Sequence, residues 1–203
     1  MTILNILSLT TAVFVLALLP GIGVFTTISR AIASGFNSAL YVILGIVLGD
    51  ILFLLVAIYG LNLIVKSYGE FFVFVKYLGG LYLIYLGYKI YISKAEIESI
   101  DLKKSVSKKS SFVSGLLITL SNPKVVVFYL SFLPAFIDLN NFKLVDVVIV
   151  VFIVFTTLSF VLLGYAYIAS KTKDIFKSSA KLELLNKVSA LIMVFMGLFL
   201  ILR

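Results

Sequence analysis

Neither cysteine nor histidine occurs among the 203 residues. Without thiols there is no disulfide framework and no thiol relay, and without imidazole as well a soft-metal site is not expected. The many serines have no histidine to activate them, so a Ser-His-Asp arrangement is excluded, and no glycine-rich phosphate loop is present. Acidic residues are sparse too: nine Asp and Glu stand against seventeen Lys and Arg, giving a formal net charge of +8. Such an excess suits nucleic acid, but here the cations sit between long uncharged runs, as they do in the loops of membrane proteins. No nucleic-acid partner and no cofactor is expected.

What the chain does have is apolar length. Sixty-two per cent of it is hydrophobic and its mean hydropathy is +1.21, well above the roughly half-apolar make-up of soluble domains. A hydrocarbon core about 30 Å thick takes about 20 apolar residues per helical span. Six runs qualify, at 3–29, 39–65, 71–92, 112–137, 144–170 and 182–202. They lack strict alternation and are too long for strands, so an all-α membrane protein of six helices is expected rather than a β-barrel. The first run has no basic segment before Arg30 and exceeds the apolar stretch of a cleavable signal, so it is expected to be retained.

With Lys124 set aside, twelve cations follow spans one, three and five, among them Arg30, Lys89, Lys108, Lys109 and Lys171, against four on the opposite side, Lys66, Lys76, Lys143 and Arg203. The positive-inside rule then puts both termini outside the cytoplasm. The charged connection 93–111 reads as a cytoplasmic linker between halves 1–92 and 112–203 of one transporter domain. Pro20 aligns with Pro123, and "GGLYLIYLG" (79–87) with "SALIMVFMG" (189–197). Three spans per half make the second half enter the membrane inverted, the plan of many secondary transporters.

The stretch "SNPK" places Asn122, Pro123 and Lys124 in the middle of the fourth run. Asparagine is a strong N-cap and proline suits the first helical position, so a new helix is expected to begin there. Its unpaired N–H groups, its dipole and Lys124 would form an anion pocket, for which a carboxylate is a natural guest. Pro20, Gly21 and Gly23 mark a second interruption, in the first run. Broken helices in corresponding places of two halves point to a transport site.

Asp50, within "GIVLGDILF" (45–53), is the second ionisable group at depth. It either pairs with Lys124 or carries a proton, while Gly45 and Gly49 form a face for close helix approach. Tyrosines 77, 82, 85, 88 and 91 recur along span three as packing or interface anchors, with one or two open to a pore-lining role.

"LPGIG" at 19–23, the arginine and glycine of "SRAIASG" at 29–35, "KYLGGLYLIYLG" at 76–87 and "FVSGLLITLSNPK" at 112–124 together resemble the LysE/RhtB family of amino-acid exporters over essentially the whole chain. Where members usually carry Pro-Gly-Pro, this chain has Pro20-Gly21-Ile22 and then Gly23. The resemblance implies a multi-pass protein of the bacterial inner (cytoplasmic) membrane that exports amino acids or similar small metabolites, driven by an ion gradient. Pro20, Gly21, Gly23, Asn122, Pro123 and Lys124 would hold the substrate, with Asp50 coupling a proton or meeting the substrate's ammonium. The expected partners are a small-molecule amino-acid substrate and membrane lipid, with homo-oligomer formation left open. Alternative readings are efflux of another solute such as an ion, or a non-transporting scaffold subunit. An enzyme is not expected, because only Asp50 and Lys124 offer catalytic chemistry at depth.

Overall fold

The computed structural model describes residues 1–67, 69–93, 107–137, 141–172 and 179–202. Most of the 93–111 connection, and Lys173, Lys177 and Arg203 of the cation count, lie outside them. The described residues form eight α-helices and one 3-10 turn, with no strand among them.

The first run is not one helix. α1 (Ile3–Leu18) ends before Pro20, whose ring cannot continue the hydrogen-bond ladder, and α2 (Ile22–Ser34) begins after an extended Gly21. The two are bent by 57°. Gly35 then turns the chain with φ +81°, a conformation that favours glycine, into the long α3 (Phe36–Ser67). α4 (Gly69–Ile92) closes the first half.

The second half repeats the device. α5 (Lys108–Leu120) stops at Ser121, and α6 (Pro123–Phe132) starts at a 51° bend, with Asn122 as its N-cap and Pro123 at the first helical position. Both breaks therefore fall at the residues whose local chemistry marks them. A 3-10 turn, Leu133–Ala135, follows, then α7 (Leu144–Lys171) and α8 (Ser179–Leu202). α3, α7 and α8 are each long and apolar enough to cross a membrane, and each bent pair counted as one span raises the number from three to five.

Glycines set the closest helix crossings. A Cβ at Gly45 would overlap the Phe112 carbonyl and stand 2.8 Å from Leu116 N, and one at Gly49 would be 3.0 Å from Thr119 Cβ, so α3 and α5 pack backbone to backbone. α4 and α8 meet in the same way, Gly80 against Gly197 and Gly87 against the Ala190 carbonyl. Around these crossings lie two apolar cores. One gathers Leu9, Leu54, Ile58, Phe128, Phe132 and Val154; the other gathers Ile28, Ala39, Val42, Ile46, Leu162 and Ala166. On α3 the boundary between them falls beside Asp50, between Ile51 and Phe53, and on α7 between Val154 and Leu158, close to the middle of both long helices.

Candidate functional site

A cavity opens at that boundary. Its wall takes Gly21, Gly23 and Val24 from the first break and α2, Asn122, Lys124, Val125 and Tyr129 from the second break and α6, and Asp50 with Ile46 from α3. Thr119 of α5, Leu158 and Leu162 of α7 and Val13, Leu16 and Ala17 of α1 complete it. Five of the seven residues singled out from sequence, Gly21, Gly23, Asp50, Asn122 and Lys124, thus come together. Pro20 and Pro123 are absent from the wall: Pro20 is buried and Pro123 exposed, each beside its break. The cavity measures about 50 Å³, taken as the room open to the centres of water-sized spheres. At about 10–15 Å³ of such volume per water, that is space for a few waters and not for an amino acid.

Lys124 spans the two breaks. Its Nζ donates to the carbonyls of Leu19 at 2.9 Å and Leu16 at 3.2 Å, the open end of α1. Those carbonyls lie at the negative end of the α1 dipole, where a cation is favoured. The Tyr165 hydroxyl of α7 adds a bond to the Leu18 carbonyl at 2.8 Å. An ammonium has three donors, so one remains beyond the two carbonyls. A Cβ placed on Gly21 would lie 3.5 Å from Nζ, so a larger side chain at this position would compete with the lysine for space.

The start of α6 differs from the expectation of unpaired donors. Asn122 Oδ1 accepts from Lys124 N at 3.1 Å, and the Asn122 carbonyl accepts from Val125 N at 3.1 Å. Pro123 has no N–H to offer, so this first turn is already satisfied. α2 is the opposite case: Gly21 has no side chain to cap it, and among the described residues the N–H groups of Ile22, Gly23 and Val24 have no acceptor. Free helix donors therefore lie at the first break, where Gly21, Gly23 and Val24 line the cavity, and the full charge comes from the second.

Asp50, 7% exposed, accepts a hydrogen bond from the Tyr129 hydroxyl. No nitrogen–oxygen contact within 4.0 Å joins it to Lys124, so the two charges share a cavity wall without forming an ion pair. Sequence reasoning passed over Tyr129, which reads there as one more aromatic in an apolar helix. Its only signal was its place five residues beyond Lys124, about a turn and a half deeper in the same half-helix. The tyrosines of α4 take a different role from the one left open for them: Tyr77, Tyr85, Tyr88 and Tyr91 are exposed, and none of the five lines this cavity. Arg30, counted from sequence as a loop cation, is a buried residue of α2.

Two helix pairs, each broken beside one charged cavity, have the pattern found in membrane carrier proteins. The family model described as LysE type translocator matches residues 14–203, and the chain belongs to that family. It is 38% identical over 197 residues to an uncharacterised membrane protein of Synechocystis sp., covering 97% of this chain and 95% of that one. It is also 32% identical over 140 residues to a leucine efflux protein of Klebsiella pneumoniae, covering 68% and 66% of the two chains. An uncharacterised membrane protein of Bacillus subtilis is 28% identical over 193 residues, at 90% and 91% coverage. No solved structure matches. The chain is thus a multi-pass protein of the bacterial cytoplasmic membrane and a translocator of small molecules, which fits a non-enzymatic role.

Proposed function

We propose that the chain is a secondary active exporter of aliphatic amino acids that exchanges substrate for protons by alternating access. The observation that carries this is the division of the cavity wall. One part is polar, with Lys124, Asp50, Asn122, Thr119, Tyr129 and the uncapped start of α2; the rest is aliphatic, chiefly Val13, Leu16, Val24, Ile46, Val125, Leu158 and Leu162. A zwitterionic head with an apolar side chain matches that division. The leucine efflux protein among the relatives supports the same substrate class.

In this reading α4 is the sixth span, its 24 residues being about 36 Å of helix, and the chain is two inverted three-span halves forming one transporter domain. The α4–α8 contact supports this. In the alignment of 79–87 with 189–197, Gly80 corresponds to Ala190 and Gly87 to Gly197. A two-fold operation therefore turns the Gly80–Gly197 contact into Ala190–Gly87, and both contacts occur. Outward-facing side chains such as Phe152, Phe160, Leu191 and Phe195 would meet lipid.

The substrate carboxylate binds the N–H groups of Ile22–Val24 and the remaining donor of Lys124. Because the cavity is too small for a whole amino acid, loading requires the half-helices to hinge at their breaks, where the ladder is already interrupted. Asp50 takes a proton from the outer side and releases it inward as substrate leaves, while Tyr129 holds the carboxyl group in place.

The test is counterflow of labelled leucine in proteoliposomes, with and without an imposed pH difference. Wild type should exchange leucine and accumulate it when the pH difference is applied. Asp50→Asn, fixed in the neutral form, should exchange leucine but not accumulate it. Uphill accumulation by a well-folded Asp50→Asn protein would remove Asp50 from the coupling role, and absence of leucine exchange by wild type would contradict the substrate class.

A further inference from the structure

Arg30 is 3% exposed, and its Nε and Nη1 meet no hydrogen-bond acceptor among the described residues. The hydroxyl of Ser29 beside it is equally without a partner. A guanidinium keeps its charge, and holding two of its donors, Nε and Nη1, out of water without an acceptor is costly. Its neighbours on α2, Ile28 and Ala31, belong to an apolar core, and no salt bridge to Arg30 forms among the described residues. A cation kept in this setting is suited to an anion that comes and goes.

Its position says which anion. Gly23, on the cavity wall, precedes Arg30 by seven residues, about two turns of α2, so the two share a helix face roughly 10 Å apart. Thr27 lies between them on that face, completely buried, with its hydroxyl donating to the Gly23 carbonyl at 2.9 Å. The stripe Gly23, Thr27, Arg30 therefore runs from the cavity toward the end of α2, the cytoplasmic end in the proposed orientation.

We infer that Arg30 is a second carboxylate station, which takes the substrate's carboxylate on the cytoplasmic side and passes it along the Thr27–Gly23 face to Lys124. The planar guanidinium fits a carboxylate by paired, charge-assisted hydrogen bonds. Arg30 thereby sets affinity at one face of the membrane, whereas Lys124 sets it at both. This inference rests on the export function proposed above.

The experiment measures half-saturation for leucine at each face, using oriented proteoliposomes and counterflow. Arg30→Gln should raise the cytoplasmic value about tenfold or more and leave the opposite face within about twofold, as loss of a charge-assisted pair requires. Leucinamide, which lacks the carboxylate, should compete poorly with leucine at the cytoplasmic face of wild type, and Arg30→Gln should narrow that difference. Arg30→Lys keeps the charge without the fork and should fall between; it provides the same two-face comparison if Arg30→Gln fails to insert. The shift should persist in phosphatidylcholine vesicles with and without phosphatidylglycerol.

Equal shifts at both faces, or no shift, would overturn the inference. So would dependence on phosphatidylglycerol, which would assign the guanidinium to a lipid headgroup. Reproduction of the whole effect by Asp174→Asn, at an acid that follows α7 in the sequence and lies outside the described residues, would instead assign it to a partner within the chain. Leucine exchange by wild type separates these failures from failure of the proposed function, since its absence refutes that function first.

Discussion

Lys124 joins two jobs at one atom. Its ammonium satisfies the Leu16 and Leu19 carbonyls at the end of α1 and is the positive charge of the cavity. Lys124→Met keeps the length and removes both. The Leu19 carbonyl is left without a donor while the Leu16 carbonyl keeps the Leu19 N–H, an expected loss of about 1–3 kcal/mol, so melting temperature in detergent should fall. Leucine half-saturation should rise about tenfold or more, a charge-assisted hydrogen bond being worth about 1.5–3 kcal/mol. A lower melting temperature with unchanged half-saturation would make Lys124 a helix cap alone. If restoring transport took only the further change Asp50→Asn, the two charges would be a structural pair and the assignment of separate roles would be wrong. Much of this residue-scale detail was hidden in the sequence. Asp50 and Tyr129 are 79 residues apart, and Lys124 reaches carbonyls 105 and 108 residues away, so only the folded chain brings them together.

At the scale of elements the sequence is far more informative, because helix ends are decided locally. Pro20 with Gly21, and Asn122 with Pro123, act on neighbouring backbone groups, and the structure ends α1 and starts α2 and α6 beside them. What the pattern missed is which half-helix keeps free donors: the Asn122 side chain closes α6, whereas Gly21 leaves α2 open. Arg30 was misplaced for a related reason, since the hydropathy run ends one residue before it but α2 continues to Ser34. The small-residue face of α3 was legible as a contact without its partner, which is α5. Gly45 tests that crossing. An added Cβ there overlaps the Phe112 carbonyl, while at Gly60 on the same helix no atom lies within 4 Å. Gly45→Ala should therefore destabilise by about 1–3 kcal/mol through overpacking. Gly60→Ala should stabilise by about 0.5–1 kcal/mol through helix propensity. Opposite shifts in melting temperature are the expected outcome, and equal shifts would mean that α3 and α5 do not cross at this glycine.

For the whole molecule, the proposed orientation rests on the twelve-to-four cation asymmetry, and moving buried Arg30 out of the loop count leaves its sign unchanged. The absence of native cysteine makes the orientation easy to test. Ser107 and Asn141 are both exposed, one before α5 and the other before α7. In intact cells an impermeant thiol reagent should label Asn141→Cys and spare Ser107→Cys, and the reverse pattern would invert the topology. An inverted chain would present Arg30 to the outer side, so this result also decides which face the second carboxylate station serves.

The central claim is that substrate occupies the cavity between the two breaks, and Ala17 reports on it directly. This small, buried residue of α1 lies on the cavity wall. In an otherwise cysteine-free protein, the rate at which a small methanethiosulfonate modifies Ala17→Cys can be followed with and without saturating leucine. The predicted result is slower modification with leucine and little protection by leucinamide, whose missing carboxylate leaves Lys124 and the start of α2 unoccupied. Equal rates with and without leucine, in a variant that still exchanges leucine across the membrane, would place the substrate elsewhere and contradict the account.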